Sequence, residues 1–255
     1  MSDEGTEQAP YGVLVLHGLT SSLASVLPVA ERLAPDGIPC AVPWLRGHGT
    51  RPEDLVGVTW RDWYADAASA LDDLLARCQT ASVVGLSMGA LLALHLALER
   101  PARLRGIVAV APALQVASRL APLVPFAAPF MRWLYPPANG YSEATRARLT
   151  EGYPRMPTRT FLSFVAYARW LEPRLGAVHV PTLILQSRAD RVIRPYSATR
   201  VYARLGTSDK QLLWFDRSGH EMLVDSEAPA VLDAVEAFLR ARQPEPGGRA
   251  GATST

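Results

Sequence analysis

Short apolar runs along this chain alternate with longer stretches in which apolar residues recur every three or four positions. The runs at 11–16, 38–42, 81–84, 106–110, 182–186 and 211–215 read as buried strands. Helices are predicted between them, over 26–33, 60–78, 90–98 and 196–205. A last one is marked by Val231, Leu232, Val235, Phe238 and Leu239. In the 60–78 stretch Trp60, Trp63, Tyr64, Ala67, Leu71, Leu74, Leu75 and Cys78 share one face. Thr59 with Asp62 three residues on has the form of its capping box. Ser25 is placed to cap the 26–33 helix, whose first turn tolerates Pro28. Strands that alternate with crossover helices predict an α/β fold with a mostly parallel, doubly wound sheet. Between about 113 and 178 the pattern changes to prolines and aromatics with no clear strand, which reads as an insertion at one sheet edge. The core is then 11–112 with 179–242, flanked by flexible tails at 1–10 and 243–255. No internal repeat is present.

Composition narrows the class without changing this picture. The 255 residues suffice for one large domain, with 49% hydrophobic and 20% charged residues. A net charge of +2 gives no basic groove for a nucleic acid. The acidic, polar N-terminus does not resemble a signal peptide, and no apolar stretch is long enough for a spanning helix. A cytoplasmic location is expected. Cys40 and Cys78 read as two buried free thiols in preference to a disulfide.

The chemistry is carried by Gly85-Leu86-Ser87-Met88-Gly89, a G-x-S-x-G pentapeptide between a predicted strand and a predicted helix. Such a turn is so tight that only glycine can flank the serine closely, and it lifts the serine Oγ out of the sheet. A serine hydroxyl needs a base, and the base needs an orienting acid. In an elbow-type hydrolase these follow in the order acid, then histidine. Asp190 lies just past the 182–186 strand and His220 just past the 211–215 strand, so both fall on the sheet edge that carries Ser87. Asp216 is the alternative acid. A tetrahedral intermediate also needs N–H donors. The residue after the nucleophile, Met88, supplies one, and Leu19, in the loop after the first strand, supplies the other. His17 and the 44–49 loop, with His48, read as structural support for that loop. His95 is expected to be packed and His179 exposed. No metal-ligand spacing or phosphate-cradling glycine loop is present, and the mechanism as read needs no cofactor.

Together these motifs resemble the α/β-hydrolase superfamily. More narrowly, Leu16 through Thr20, Arg46 through Gly49, the elbow, Gln186 through Pro195 and Ser218 through His220 are similar to the small bacterial carboxylesterase and monoacylglycerol lipase family. The resemblance covers roughly 11–240. It implies an α/β-hydrolase fold with a small helical cap inserted after the 106–110 strand, over an apolar acyl pocket. It also implies a serine esterase with Ser87, Asp190 and His220 as triad and Leu19 and Met88 as oxyanion donors. Two departures stand out: Ala90 follows the elbow glycine, and only ten residues precede the first strand, so the superfamily's initial hairpin is expected to be missing or reduced to one strand. The expected activity is hydrolysis of short- to medium-chain acyl esters or monoacylglycerols, with a small-molecule ester as partner. The alternatives are a thioesterase, lactonase or acyltransferase using the same triad, or a non-catalytic binding protein of the same fold.

Overall fold

A computed structural model of the chain describes residues 8–135 and 152–244. Six strands form one sheet: β1 (Ala9–Leu16), β2 (Cys40–Ala41), β3 (Cys78–Leu86), β4 (Leu104–Val110), β7 (Thr182–Ser187) and β8 (Lys210–Phe215). Their order is β2-β1-β3-β4-β7-β8, and every ladder between them is parallel. This is the α/β-hydrolase sheet in outline. The alternation of side chains along each strand splits the interior into two layers. Leu14, Leu16, Val83, Ile107 and Ile184 face one way, packed under α2 (Trp60–Arg77), α3 (Met88–Glu99) and α5 (Thr158–Leu171). Val13, Val15, Val84, Val108 and Leu183 face the other, under α1 (Leu27–Leu33) and α7 (Ala228–Arg240). On that second face α1 and α7 pack side by side, and Arg32 pairs with Asp233 and Glu236.

Most predicted elements lie within a few residues of their expected limits. The capping box of α2 is formed, with the Thr59 N–H donating to Asp62 Oδ2 at 2.9 Å. Two local expectations are corrected. Ser25 does not cap α1: Val26 holds that position, and the Ser25 hydroxyl turns back to donate to the Ser22 carbonyl at 2.8 Å. β1 begins at Ala9, inside the stretch expected to be a flexible tail. The rest of that stretch, residues 1–7, and the last part of the C-terminal tail, 245–255, lie outside the described residues. Cys40 and Cys78 are free thiols, Cys78 buried and Cys40 half-buried.

Within 113–178 the described chain leaves β4, forms a short helical turn α4 (Val124–Ala127), and builds a two-residue antiparallel pair, β5 (Trp133–Leu134) with β6 (Met156–Pro157). Residues 136–151 of this stretch lie outside the described residues. The segment then enters α5, whose Phe164, Tyr167, Ala168 and Leu171 are buried against α2 and α3. After β7 the chain forms α6 (Tyr196–Arg204) and returns through β8 to α7.

Candidate active site

β3 runs into α3 through Ser87, whose backbone is held at φ 58° and ψ −111°. Positive φ is costly for a residue with a Cβ and persists only where the surroundings enforce it. Here they do. A Cβ on Gly85 would lie 2.1 Å from the Gly89 carbonyl oxygen, and one on Gly89 would lie 2.2 Å from the Leu16 oxygen. The Ser87 N–H donates to the Val110 carbonyl at 2.8 Å, which anchors the turn on β4. Thr20 (φ 61°) and Ala111 (φ 46°) are the other described non-glycine residues with positive φ. All three lie just beyond the carboxyl ends of β1, β3 and β4, so the backbone strain is concentrated on one edge of the sheet.

Asp190 and His220 meet on the same edge. The His220 Nδ1–H donates to Asp190 Oδ2 at 2.8 Å. The remaining lone pairs of Asp190 are also taken. Oδ1 accepts the Val192 and Ile193 amides at 2.8 and 2.9 Å, and Oδ2 accepts Gln186 Nε2 at 3.0 Å. Burial alone would raise the Asp190 pKa, but the His220 charge and the two amides outweigh it, and the carboxyl is held below its ordinary value. Burial alone would lower the His220 pKa, but the Asp190 carboxylate outweighs it, and the imidazole is held above its ordinary value. Asp216, the alternative acid, is instead exposed and paired with Arg188. The loop bearing His220 is fastened from below: Glu227 accepts the Arg217 and Ser218 amides, each at 2.8 Å, and Asp225 accepts Gly219 at 2.7 Å.

The loop after β1 lies against the elbow, since a Cβ on Gly18 would be 3.3 Å from Ser87 Cβ. Among the described residues the Leu19 amide donates to no other group. Met88 opens α3, where the first amides have no partner within the helix. Two histidines shape the loop. His17 Nε2 accepts the Leu45 amide at 3.1 Å while its Nδ1–H donates to the Gly18 carbonyl at 2.8 Å. His48 Nε2 accepts the Thr20 amide at 3.0 Å, and its Nδ1–H faces the Leu45 and Arg46 carbonyls. Accepting at one nitrogen and donating at the other requires neutral rings. Burial agrees, pushing His17 down to about 3, with His48 adding to the effect, and pushing His48 down to about 4. The return of the inserted segment is tied to the same loop: Tyr153 N–H donates to the Thr20 carbonyl at 2.8 Å, and the Tyr153 ring stacks on His48.

The other two histidines take no part. His95 is buried among Trp60, Tyr64, Tyr167 and Trp170, and His179 is exposed. The structure forms no Ser87–His220 hydrogen bond; such bonds in ligand-free sites commonly close only around substrate. Reading the sequence missed Gln186 and Glu221, each a buried polar side chain beside the acid–histidine pair. The signal was available. Gln186 interrupts an otherwise apolar strand, and Glu221 stands between His220 and the apolar Met222-Leu223-Val224. Among the described residues no His, Cys, Asp and Glu side chains cluster as metal ligands would, and no helix is long and apolar enough to cross a membrane.

A parallel sheet with a strained serine elbow, and an acid–histidine pair on the neighbouring loops, defines the α/β-hydrolase class. The chain belongs to the family described as serine aminopeptidase, S33, which it matches over residues 8–227. It is 30% identical to a thermostable monoacylglycerol lipase from Bacillus sp. (strain H-257), over 92% of both chains. It is 27% identical to a carboxylesterase of Bacillus subtilis (strain 168), over 89% of this chain and 91% of that one. Among solved structures, one from a study of the metagenome-derived lipolytic enzymes LipS and LipT superposes with a TM-score of 0.85. That structure is 32% identical, with 93% of this chain and 98% of the other covered. A soluble variant of the monoglyceride lipase of Saccharomyces cerevisiae shares the fold at a TM-score of 0.80 and 17% identity, covering 95% of this chain and 90% of that one.

Proposed function

We propose that this chain, a carboxylic-ester hydrolase of the α/β-hydrolase superfamily, cleaves short- to medium-chain acyl esters or monoacylglycerols through an acyl-enzyme. Ser87 is the nucleophile, His220 the base, Asp190 the orienting acid, and Leu19 and Met88 the oxyanion donors. The observation that carries the reading is the 2.8 Å Asp190–His220 bond on the edge that holds the strained Ser87. That bond commits Nδ1 as donor, so Nε2 keeps the lone pair that takes the Ser87 proton. Ser87 Oγ then attacks the ester carbonyl, and the carbonyl oxygen becomes an anion held by the two amides. His220 returns the proton to the leaving alcohol. Water, deprotonated by the same ring, attacks the acyl-enzyme and releases the acid and Ser87. Throughout, Asp190 stays ionised and balances the imidazolium.

For the acyl chain the described residues offer a cleft of about 370 Å³ between the start of the inserted segment and α5. Its apolar lining includes Ala113, Leu114, Val116, Phe164, Val165 and Ala168. Its link to the elbow runs through the backbone, where the Ala113 N–H donates to the Ser87 carbonyl at 3.4 Å. The apolar side of this cleft suits an uncharged acyl chain, while Arg169, Glu172 and Arg194 line its polar side.

The test is hydrolysis of p-nitrophenyl esters from acetate to palmitate, with 1-monoacylglycerols, acyl-CoA, lactones and amino-acyl p-nitroanilides in parallel. Ser87→Ala is expected to lower kcat by roughly 10⁴- to 10⁶-fold on the preferred ester. Near-normal turnover in that variant would sink the assignment. Preference for a thioester, a lactone or an anilide would keep the triad and move the substrate class.

A further inference from the structure

Glu221 directly follows the base and is buried, yet the relay of Ser87, His220 and Asp190 makes no use of it. Its carboxyl faces the hydroxyls of Ser21 and Ser25. Those hydroxyls bond each other at 2.8 Å, and Ser25 is anchored to the Ser22 carbonyl. Ser21 belongs to the oxyanion loop proper: its N–H donates to the Gly18 carbonyl at 3.3 Å, and Gly18 is the residue packed against Ser87. Glu221 therefore sits where the loop of the base and the loop of the oxyanion donors touch. The fastenings of Arg217, Ser218 and Gly219 hold the base loop toward α7, and Asp190 holds the ring toward β7. Glu221 is the side chain of the base loop that lies beside Ser21 and Ser25.

Resting on the assignment of Ser87, His220 and Leu19 above, we propose that Glu221 is a positioning residue that clamps the base loop to the oxyanion loop through Ser21 and Ser25. The clamp works best as a neutral acid. A carboxylate there would bury a charge with Oε2 lacking any partner, beside the Asp190 anion. Burial, and then the Asp190 charge, push its pKa up against the opposing pull of His220 and the two hydroxyls. Ser25 donates to the Ser22 carbonyl and Ser21 to Ser25, so both hydroxyls have only lone pairs left, and the O–H of a carboxylic acid is the donor they lack. The charged and titratable groups facing it are His220 and Asp190.

The experiment compares wild type, Glu221→Ala, Glu221→Gln and Ser21→Ala on the preferred ester, with thermal melting as a check on folding. Displacing the two loops by a fraction of an ångström is expected to lower kcat in E221A by roughly 10- to 100-fold, with KM within about threefold. E221Q, neutral and of the same shape, recovers most of that loss, and the acid limb of its pH profile coincides with that of wild type. Ser21→Ala loses rate as well, and adding it to E221A costs little more. Normal kcat in a folded E221A overturns the clamp. So does an E221Q variant as slow as E221A, or one whose acid limb moves down, because Glu221 would then act through its charge. If E221A does not fold, Ser21→Ala decides: normal kcat in that variant overturns the clamp. Full activity in Ser87→Ala is the separate outcome in which the esterase reading itself fails.

Discussion

Around Ser87 the chain is held on every side. Gly85 and Gly89 leave no room for a methyl group, both oxygens of the buried acid accept hydrogen bonds, and the buried histidine is tied to it through Nδ1. The segment leaving β4 at the same edge is the reverse. Leu120, Leu123, Phe126, Phe130, Met131 and Tyr135 are exposed, Phe130 at 90%. The difference teaches what each region needs from the fold. Moving a proton between named atoms requires positions fixed to a fraction of an ångström, and strain plus buried polar bonds enforce them. Receiving an acyl chain requires apolar area, which many packings supply.

The comparison can be broken at its tightest point first. Asp190→Asn removes the charge that fixes the His220 tautomer and is expected to lower kcat on the order of 10⁴-fold. The wild-type kcat/KM rises as pH climbs through a His220 pKa above the ordinary 6.5, because the base must be neutral. In Asp190→Asn the main pull against burial is gone, so that limb shifts to lower pH. A rate–pH profile of the two proteins checks both points. Next, Gly89→Ala forces a methyl group onto the Leu16 carbonyl and is expected to cost about 3 kcal/mol in urea denaturation.

Smaller effects sharpen the contrast. His48→Ala leaves the Thr20 amide without its acceptor and is expected to lower kcat about tenfold, seen by steady-state kinetics. His17 and His48 also carry a pH signature. Their folded pKa values are depressed, so their contribution to stability is present above the unfolded value near 6.5. It is lost as pH falls through about 4 for His48 and about 3 for His17. Denaturation midpoints measured across that window fall less steeply in His48→Ala. At the loose end, Phe130→Ser is expected to change stability by no more than about 0.5 kcal/mol. A loss as large as that of Gly89→Ala would show the two regions to be equally constrained.

The same contrast decides what was legible in the sequence. The elbow, the two loops after β7 and β8, and the faces of α2 and α7 are local patterns, and local patterns can be read one residue at a time. So can the role of His48, because its glycine-rich loop follows a strand. The β5–β6 pair could not be read this way. It is two residues long, contains Pro157, and depends on a distant register, the Thr158 N–H donating to the Arg132 carbonyl at 2.9 Å. The apolar face of α5, Phe164, Tyr167, Ala168 and Leu171, has helical spacing, but the aromatics and prolines around it hide the period. Ser25 went astray because a serine before a helix is a common cap, while here its hydroxyl serves the loop that touches Glu221.

The packing of α1 against α7 also sets the timing of assembly. On the ribosome β1 and α1 emerge well before α7. Val13 and Val15 of β1, with Val29 and Leu33 of α1, are covered in the finished molecule together with Val231, Val235, Phe238 and Leu239. Until those four residues have been synthesised, the part of this face that lies under α7 lacks its roof. The nascent chain therefore carries a sticky valine-rich surface from the emergence of β1 until α7 has followed, and holdase chaperones that bind such surfaces have an opportunity on this side of the sheet.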